Sequence, residues 1–181
     1  MTESTKYVTI SDEQMKNDIA SNDDLFIIGK CGSGKTKLVN RILRYLDTQT
    51  DCVYLFFSHD LLNHTDDCYG NINATVLPND TRPFVESGID NFPATNLALA
   101  TGGEEVIWRS DFVFMMADKC AQNNKRLYVI ADDVASLRPV GIMARRIPSF
   151  KLIVTAVVAE DFEDVLDLNR TSQRNFVTIQ L

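Results

Sequence analysis

Apolar residues along this chain fall either into short unbroken runs or into stretches where they recur every three or four positions. Leu25-Phe26-Ile27-Ile28 is a run of the first kind that stops at a glycine, the pattern of a strand buried on both faces. In Lys37 to Leu46 (KLVNRILRYL), Leu38, Val39, Ile42, Leu43 and Leu46 share one face of a helix. Cys52 to Phe57 (CVYLFF) is β-branched and aromatic and predicts a second buried strand. Strand, glycine-rich turn, helix and strand in that order open a βαβ unit. From Ser58 to about Ala100 no period holds. Turns at His59-Asp60 and at Asn-Asp and Pro pairs interrupt short apolar pieces such as Ala74 to Leu77, and irregular text of this length carries function or surface. A second helix is expected over roughly Glu104 to Gln122, with Val106, Ile107, Phe112, Val113 and Met116 among its apolar positions, broken by Asn123-Asn124. Leu127 to Ala131 (LYVIA) reads as a central strand ended by Asp132-Asp133. Val140 to Arg146 predicts a short helix stopped by Pro148, Leu152 to Val158 a fourth strand, Asp161 to Leu168 a short helix, and Phe176 to Leu181 a last strand. Strands alternating with helices predict an α/β fold: a mostly parallel central sheet flanked by helices on both faces.

The length of 181 residues fits one domain over 1–181, with 1–22 read as a peripheral N-terminal segment. Composition adds little, since 45% hydrophobic and 24% charged residues are average for a globular chain. No apolar run reaches the length of a membrane span, and MTESTKYVTISDEQ lacks the pattern of a secretory signal. The expectation is an intracellular protein without a membrane partner, with Cys31, Cys52, Cys68 and Cys120 as reduced thiols. His59, His64 and Cys68 lie near Asp60, Asp66 and Asp67, but their spacing matches no zinc pattern and reads as a polar surface loop. A net charge of −7 argues against coating nucleic acid over the whole surface. It leaves room for a local basic patch, or for a ring with a basic lumen.

The chemistry begins at Gly29-Lys30-Cys31-Gly32-Ser33-Gly34-Lys35-Thr36, which follows a strand and opens a helix. A triphosphate needs many donors aimed at one point with no side chains in the way. Gly29, Gly32 and Gly34 let the backbone curl so that its N–H groups face inward, and the following helix adds the positive end of its dipole. Lys35 supplies a point charge to the β and γ phosphates, and the Thr36 hydroxyl can ligate Mg²⁺. Lys30 and Lys37 flank the loop and add positive potential. Asp132 and Asp133 end a hydrophobic strand, at the edge where a parallel sheet places its site. A carboxylate there holds the metal, here Asp132, and a second one, Asp133, can orient or deprotonate the attacking water. Arg138, Arg145 and Arg146 are candidates for a cation delivered to the γ phosphate or for nucleic-acid contact. Trp108 and the phenylalanines of the second helix read as core.

On these residues the chain resembles the poxvirus-type genome-packaging ATPases of the FtsK–HerA superfamily, found in large DNA viruses. The resemblance is carried by FIIGKCGSGKTKLVNRIL, RLYVIADDVAS and GIMARRIPSFKLIVTAVV, with similar spacing between the blocks, over most of Leu25 to Val158. It implies a P-loop NTPase fold of the RecA/ASCE-like kind and a homo-oligomeric ring that threads double-stranded DNA into a capsid using ATP and Mg²⁺. It also implies viral capsid or portal proteins as partners, and a place in the host cytoplasm, a virus factory or the virion. By position, Gly29, Lys30, Cys31, Gly32, Ser33, Gly34, Lys35, Thr36 and Lys37 would bind the nucleotide. Thr36 and Asp132 would hold the metal, and Lys35, Asp133 and Arg145 would be catalytic. Two positions depart from the family pattern: Arg146 stands where histidine is expected, and Val157 stands near a γ-phosphate-sensing glutamine, with Thr155 close by as a partial substitute.

Two other readings use the same loop. A small-molecule P-loop kinase would take its acceptor in the Ser58–Ala100 segment, although the arginines do not group as a phosphate lid. An NTP-binding assembly subunit with weak hydrolysis would fit the absent glutamine. A guanine-specific switch lacks its Asn-Lys-x-Asp tetrad, since Asn124-Lys125 has no following aspartate at the right place.

Overall fold

A computed structural model describes residues 10–58, 61, 69, 72–77, 86, 88, 94–100, 110–133, 147, 149–157 and 174–181. Their elements, in order, are α1 (Asp12–Ala20), β1 (Asp24–Ile28), α2 (Lys35–Asp47), β2 (Cys52–Ser58), β3 (Thr75–Leu77), β4 (Leu97–Ala100), α3 (Ser110–Gln122), β5 (Arg126–Asp132), β6 (Phe150–Ala156) and β7 (Phe176–Gln180).

The strands form one seven-stranded sheet in the order β3-β4-β2-β5-β6-β1-β7. Every pairing is parallel. The fold is therefore α/β, with a sheet more uniformly parallel than the alternation of elements alone required. Strand β2 is buried at every position, as are the last six residues of β5. Such strands must be apolar on both faces, which is why they stood out as unbroken runs.

The sheet separates two cores. On one face α2 lays Leu38, Val39, Ile42, Leu43 and Leu46 against Leu25, Ile27, Tyr54, Phe56 and Ile130. On the other, α3 lays Phe112, Val113, Met116, Ala117 and Cys120 against Phe26, Val53, Leu55, Val129 and Leu152. Alternate residues of each strand thus serve opposite faces, as the two-residue repeat demands. Helix α3 ends in a Schellman motif: Asn124 adopts φ +51, Lys125 N–H donates to the Cys120 carbonyl at 2.8 Å, and Asn124 N–H donates to Ala121 at 3.1 Å. Asn123-Asn124 stops the helix as expected, because asparagine tolerates the left-handed conformation at low cost.

Segment 1–22, expected to be peripheral, contains α1 within its described part. Ser11 caps it by accepting from Gln14 N–H at 3.1 Å, and Met15 and Ile19 are buried in the α2-side core. Its C-terminal carbonyls are satisfied from across the sheet. The Lys151 ammonium donates to the carbonyls of Asp18, Ile19 and Ser21, the last two at 2.9 Å. Burial, with Arg126 nearby, pulls the Lys151 pKa down to about 8. The ammonium is therefore still charged at neutral pH.

The irregular reading of Ser58 to Ala100 is corrected by β3 and β4, which extend the sheet beyond β2. Strand β3 is only three residues long with Thr75 and Val76 exposed, so no alternation could reveal it. The helix expected from Glu104 is described from Ser110 onward. The expected helices at Val140–Arg146 and Asp161–Leu168, together with Trp108, lie outside the described residues, as do His59, Asp60, His64, Asp66, Asp67 and Cys68. Cys31, Cys52 and Cys120 are free thiols, and among the described residues no cluster could hold a metal through His, Cys, Asp and Glu alone. Among the same residues no helix is long and apolar enough to cross a membrane.

Candidate functional site

Parallel pairing puts the C-terminal ends of β1, β2, β5 and β6 along one edge. Ser58 pairs with Asp132, and Ile28 with Ala156. Strand β6 lies between β1 and β5, so the loop after β1 and the acidic pair after β5 stand two strand spacings apart, about 10 Å. That gap is of the size a phosphate chain with a metal fills.

The loop after β1 is shaped by its glycines. A Cβ at Gly29 would sit 2.4 Å from Ser33 Oγ and 2.8 Å from the Leu181 carbonyl oxygen, so only glycine fits there. Gly34 is the N-cap of α2 at φ +100 and offers no side chain to the first-turn N–H groups. Those donors, with the helix dipole behind them, form an anion site. Ser33 Oγ is buried in the bend without a hydrogen-bond partner among the described residues. Lys35 folds its ammonium back over the loop, donating to Gly29 O at 2.7 Å and Lys30 O at 3.0 Å. Lys30, Cys31 and Lys37 are exposed around it.

Facing the loop, Asp132 is 1% exposed at the end of β5. Its Oδ1 accepts from the Thr155 hydroxyl at 2.7 Å and its Oδ2 from the Tyr69 hydroxyl. Asp133 is exposed, adopts φ +51, and donates its N–H to Thr155 Oγ1 at 3.1 Å. A left-handed aspartate is uncommon, and a turn of this kind re-aims the side chain away from the strand direction. The two halves meet in one cleft of about 450 Å³, lined by Cys31, Gly32, Gly34, Lys35, Thr36 and Lys37 on the loop side and Asp132, Asp133 and Val157 on the other, with Asn40 from α2.

The structure thus brings together Lys35, Thr36, Asp132 and Asp133. It leaves Arg138, Arg145 and Arg146 outside the described residues. The donor set fits a magnesium-bound polyphosphate: main-chain N–H groups and an ammonium for the anion, a hydroxyl and a carboxylate for a hard cation. Thr155 differs from its expected part as a substitute phosphate sensor. Its hydroxyl is committed to both aspartates, and Val157 reaches the cleft with an apolar side chain.

The family model of the TraG P-loop domain matches residues 1–61, a stretch that contains β1, the phosphate loop, α2 and β2. The match indicates a P-loop NTPase of the FtsK/TraG type. It supports nucleotide binding, usually with Mg²⁺, and an NTP-hydrolysing motor in general terms. A comparison with curated proteins finds no match.

Sequence reasoning missed Tyr69. Its side chain is buried, packs edge-on against Phe56 with ring centroids 4.8 Å apart, accepts from Ser58 Oγ at 3.4 Å and donates to Asp132. Burial first, and the Asp132 charge second, raise the pKa of the phenol well above its usual value, so it stays protonated as a donor. The only signal was a lone aromatic in the polar run TDDCYGN.

Proposed function

We propose that this chain is an ATP-hydrolysing motor that packages viral double-stranded DNA into capsids. It would work as a single P-loop domain within a homo-oligomeric ring, in the host cytoplasm or virus factory or on the virion, with capsid or portal proteins as partners. The observation that carries the nucleotide chemistry is the single cleft shared by the phosphate loop and the strand-end aspartates. The motor reading is supported by the TraG-type match, and the viral packaging reading by the resemblance across the three sequence blocks.

In this reading the loop from Gly29 to Lys37 holds the phosphates, with Lys35 neutralising them. Thr36 and Asp132 hold Mg²⁺, which when bound offsets triphosphate charge. Asp133 orients the attacking water or takes its proton, and Arg145 stabilises charge at the γ phosphate. Asp133→Asn is then expected to keep ATP affinity while cutting turnover by roughly a hundredfold or more, the usual worth of a general base. Fluorescent-nucleotide binding and phosphate release measure the two separately, and normal hydrolysis would assign the water to another group.

The deciding experiment is ATP turnover with and without duplex DNA, alongside a mass measurement of the assembly. DNA is expected to raise turnover severalfold, and the mass to exceed that of a monomer. A flat response in an active enzyme would favour the kinase reading. Val157 in the cleft and the committed Thr155 hydroxyl favour a second reading, an NTP-binding assembly subunit with weak hydrolysis. Tight ATP binding with negligible turnover, with or without DNA, would support it.

A further inference from the structure

Two groups would converge on a metal in this cleft, the Thr36 hydroxyl and the Asp132 carboxylate, and the carboxylate is engaged by the Tyr69 hydroxyl instead. Asp132 Oδ1 is already held by Thr155, so the oxygen bonded to Tyr69 is the one left for a metal-bound water. The phenol is held in place by its edge-on contact with Phe56 and the bond from Ser58 Oγ, both on β2. Magnesium demands near-octahedral ligands at about 2.0–2.1 Å and keeps several waters, so it needs room around each protein ligand. A phenol bonded to Asp132 takes up one such position.

We propose that Tyr69 plugs the metal site of the nucleotide-free protein by holding Asp132, and is displaced from that carboxylate when magnesium-bound nucleotide enters. The proposal rests on the phosphate-loop reading and adds to it a side chain that responds to the loaded state. A metal-bound water replaces the phenol as donor to Asp132, so no hydrogen bond is lost at the carboxylate. The displaced phenol leaves its buried position against Phe56 and becomes accessible.

The test is a Mg²⁺ titration, in the presence of a non-hydrolysable fluorescent ATP analogue, of wild-type protein and Tyr69→Phe. The phenylalanine keeps the ring packing and removes only the plug. Its apparent Mg²⁺ affinity is expected to rise about tenfold, the worth of one competing hydrogen bond to a carboxylate, while analogue affinity in EDTA stays unchanged. In the wild type, hydroxyl-radical footprinting read by mass spectrometry is expected to show Tyr69 protected without nucleotide and several times more reactive with Mg²⁺ and analogue. Weaker or unchanged Mg²⁺ affinity in Tyr69→Phe, or unchanged protection of Tyr69 on loading, would overturn the proposal while leaving the phosphate loop intact. Should the wild type bind no analogue at any Mg²⁺ concentration, the phosphate-loop reading would fall and the plug with it.

Discussion

Lys35→Ala is expected to lose Mg²⁺-dependent nucleotide binding by roughly ten- to a hundredfold and to show no NTP turnover above background. The ammonium of Lys35 lies over the loop, bonded to the carbonyls of Gly29 and Lys30 at 2.7 and 3.0 Å. Among the described residues it is the lysine whose head group is bonded inside the curl. Lys30 and Lys37 are exposed, and of the two Lys37 lines the cleft. With a net charge of −7 on the chain and two aspartates facing the loop, a triphosphate without that ammonium meets a negative cleft. A charge-assisted bond to a phosphate is worth about 1.5–3 kcal/mol in binding, and loss of transition-state neutralisation multiplies the effect on rate. The side chain is half-exposed, so the fold should survive its removal and thermal unfolding should move by no more than a few degrees. Isothermal titration with ATP and a phosphate-release assay measure the two effects. Turnover equal to the wild type in a well-folded variant would remove the enzyme reading altogether.

The parts of this fold that were legible in sequence are those where packing dictates residue type locally. Strands β1, β2, β5 and β6 are central and parallel, so both faces must be apolar and the text shows continuous runs. The phosphate loop is legible because close backbone approach tolerates only glycine: a Cβ at Gly29 would clash, and Gly32 and Gly34 adopt φ +77 and +100. Asp132 is legible because an acidic residue ending such a strand lies at the same sheet edge as the loop. What escaped was held by distant partners. Tyr69 meets Asp132 across 63 positions, and Lys151 completes α1 from more than 130 positions away. Helix α1 shows only Met15 and Ile19 as buried residues in a polar stretch, too few to mark a face. Strands β3 and β4 are too short for a period to emerge. Asp24 has the composition of a turn residue, yet it is 2% exposed at the start of β1, a status that only its partner explains.

That partner is Arg174, and Arg174→Ala is expected to destabilise the protein by about 3–5 kcal/mol, the cost of leaving a buried charge unpaired. The guanidinium donates from Nη2 to Asp24 Oδ1 at 2.8 Å and from Nε to Oδ2, the bidentate geometry that lysine cannot reproduce. It also donates to the Ile147 carbonyl at 3.2 Å and to that of Phe150, and stacks over the Phe150 ring 4.6 Å from its centroid. Asp24 Oδ1 in turn accepts from Leu152 N–H at 2.6 Å. The side chains are 13% and 2% exposed, so water cannot take over these bonds. The pair ties β1 to β6 and to the residues leading into β7 at the edge opposite the nucleotide cleft. For a chain of this length the loss corresponds to a fall in Tm of about 10 °C or more. Arg174→Lys is expected to fall between the wild type and alanine. Asp24→Ala with Arg174→Ala is expected to be less destabilised than the sum of the two single changes, because neither charge is then left alone. Urea denaturation measures the four variants against the wild type, and nucleotide affinity of the folded fraction should stay at the wild-type value because the cleft lies a full strand length away. A loss below about 1 kcal/mol in Arg174→Ala would mean that solvent reaches Asp24 and that β1 is anchored by its apolar faces alone.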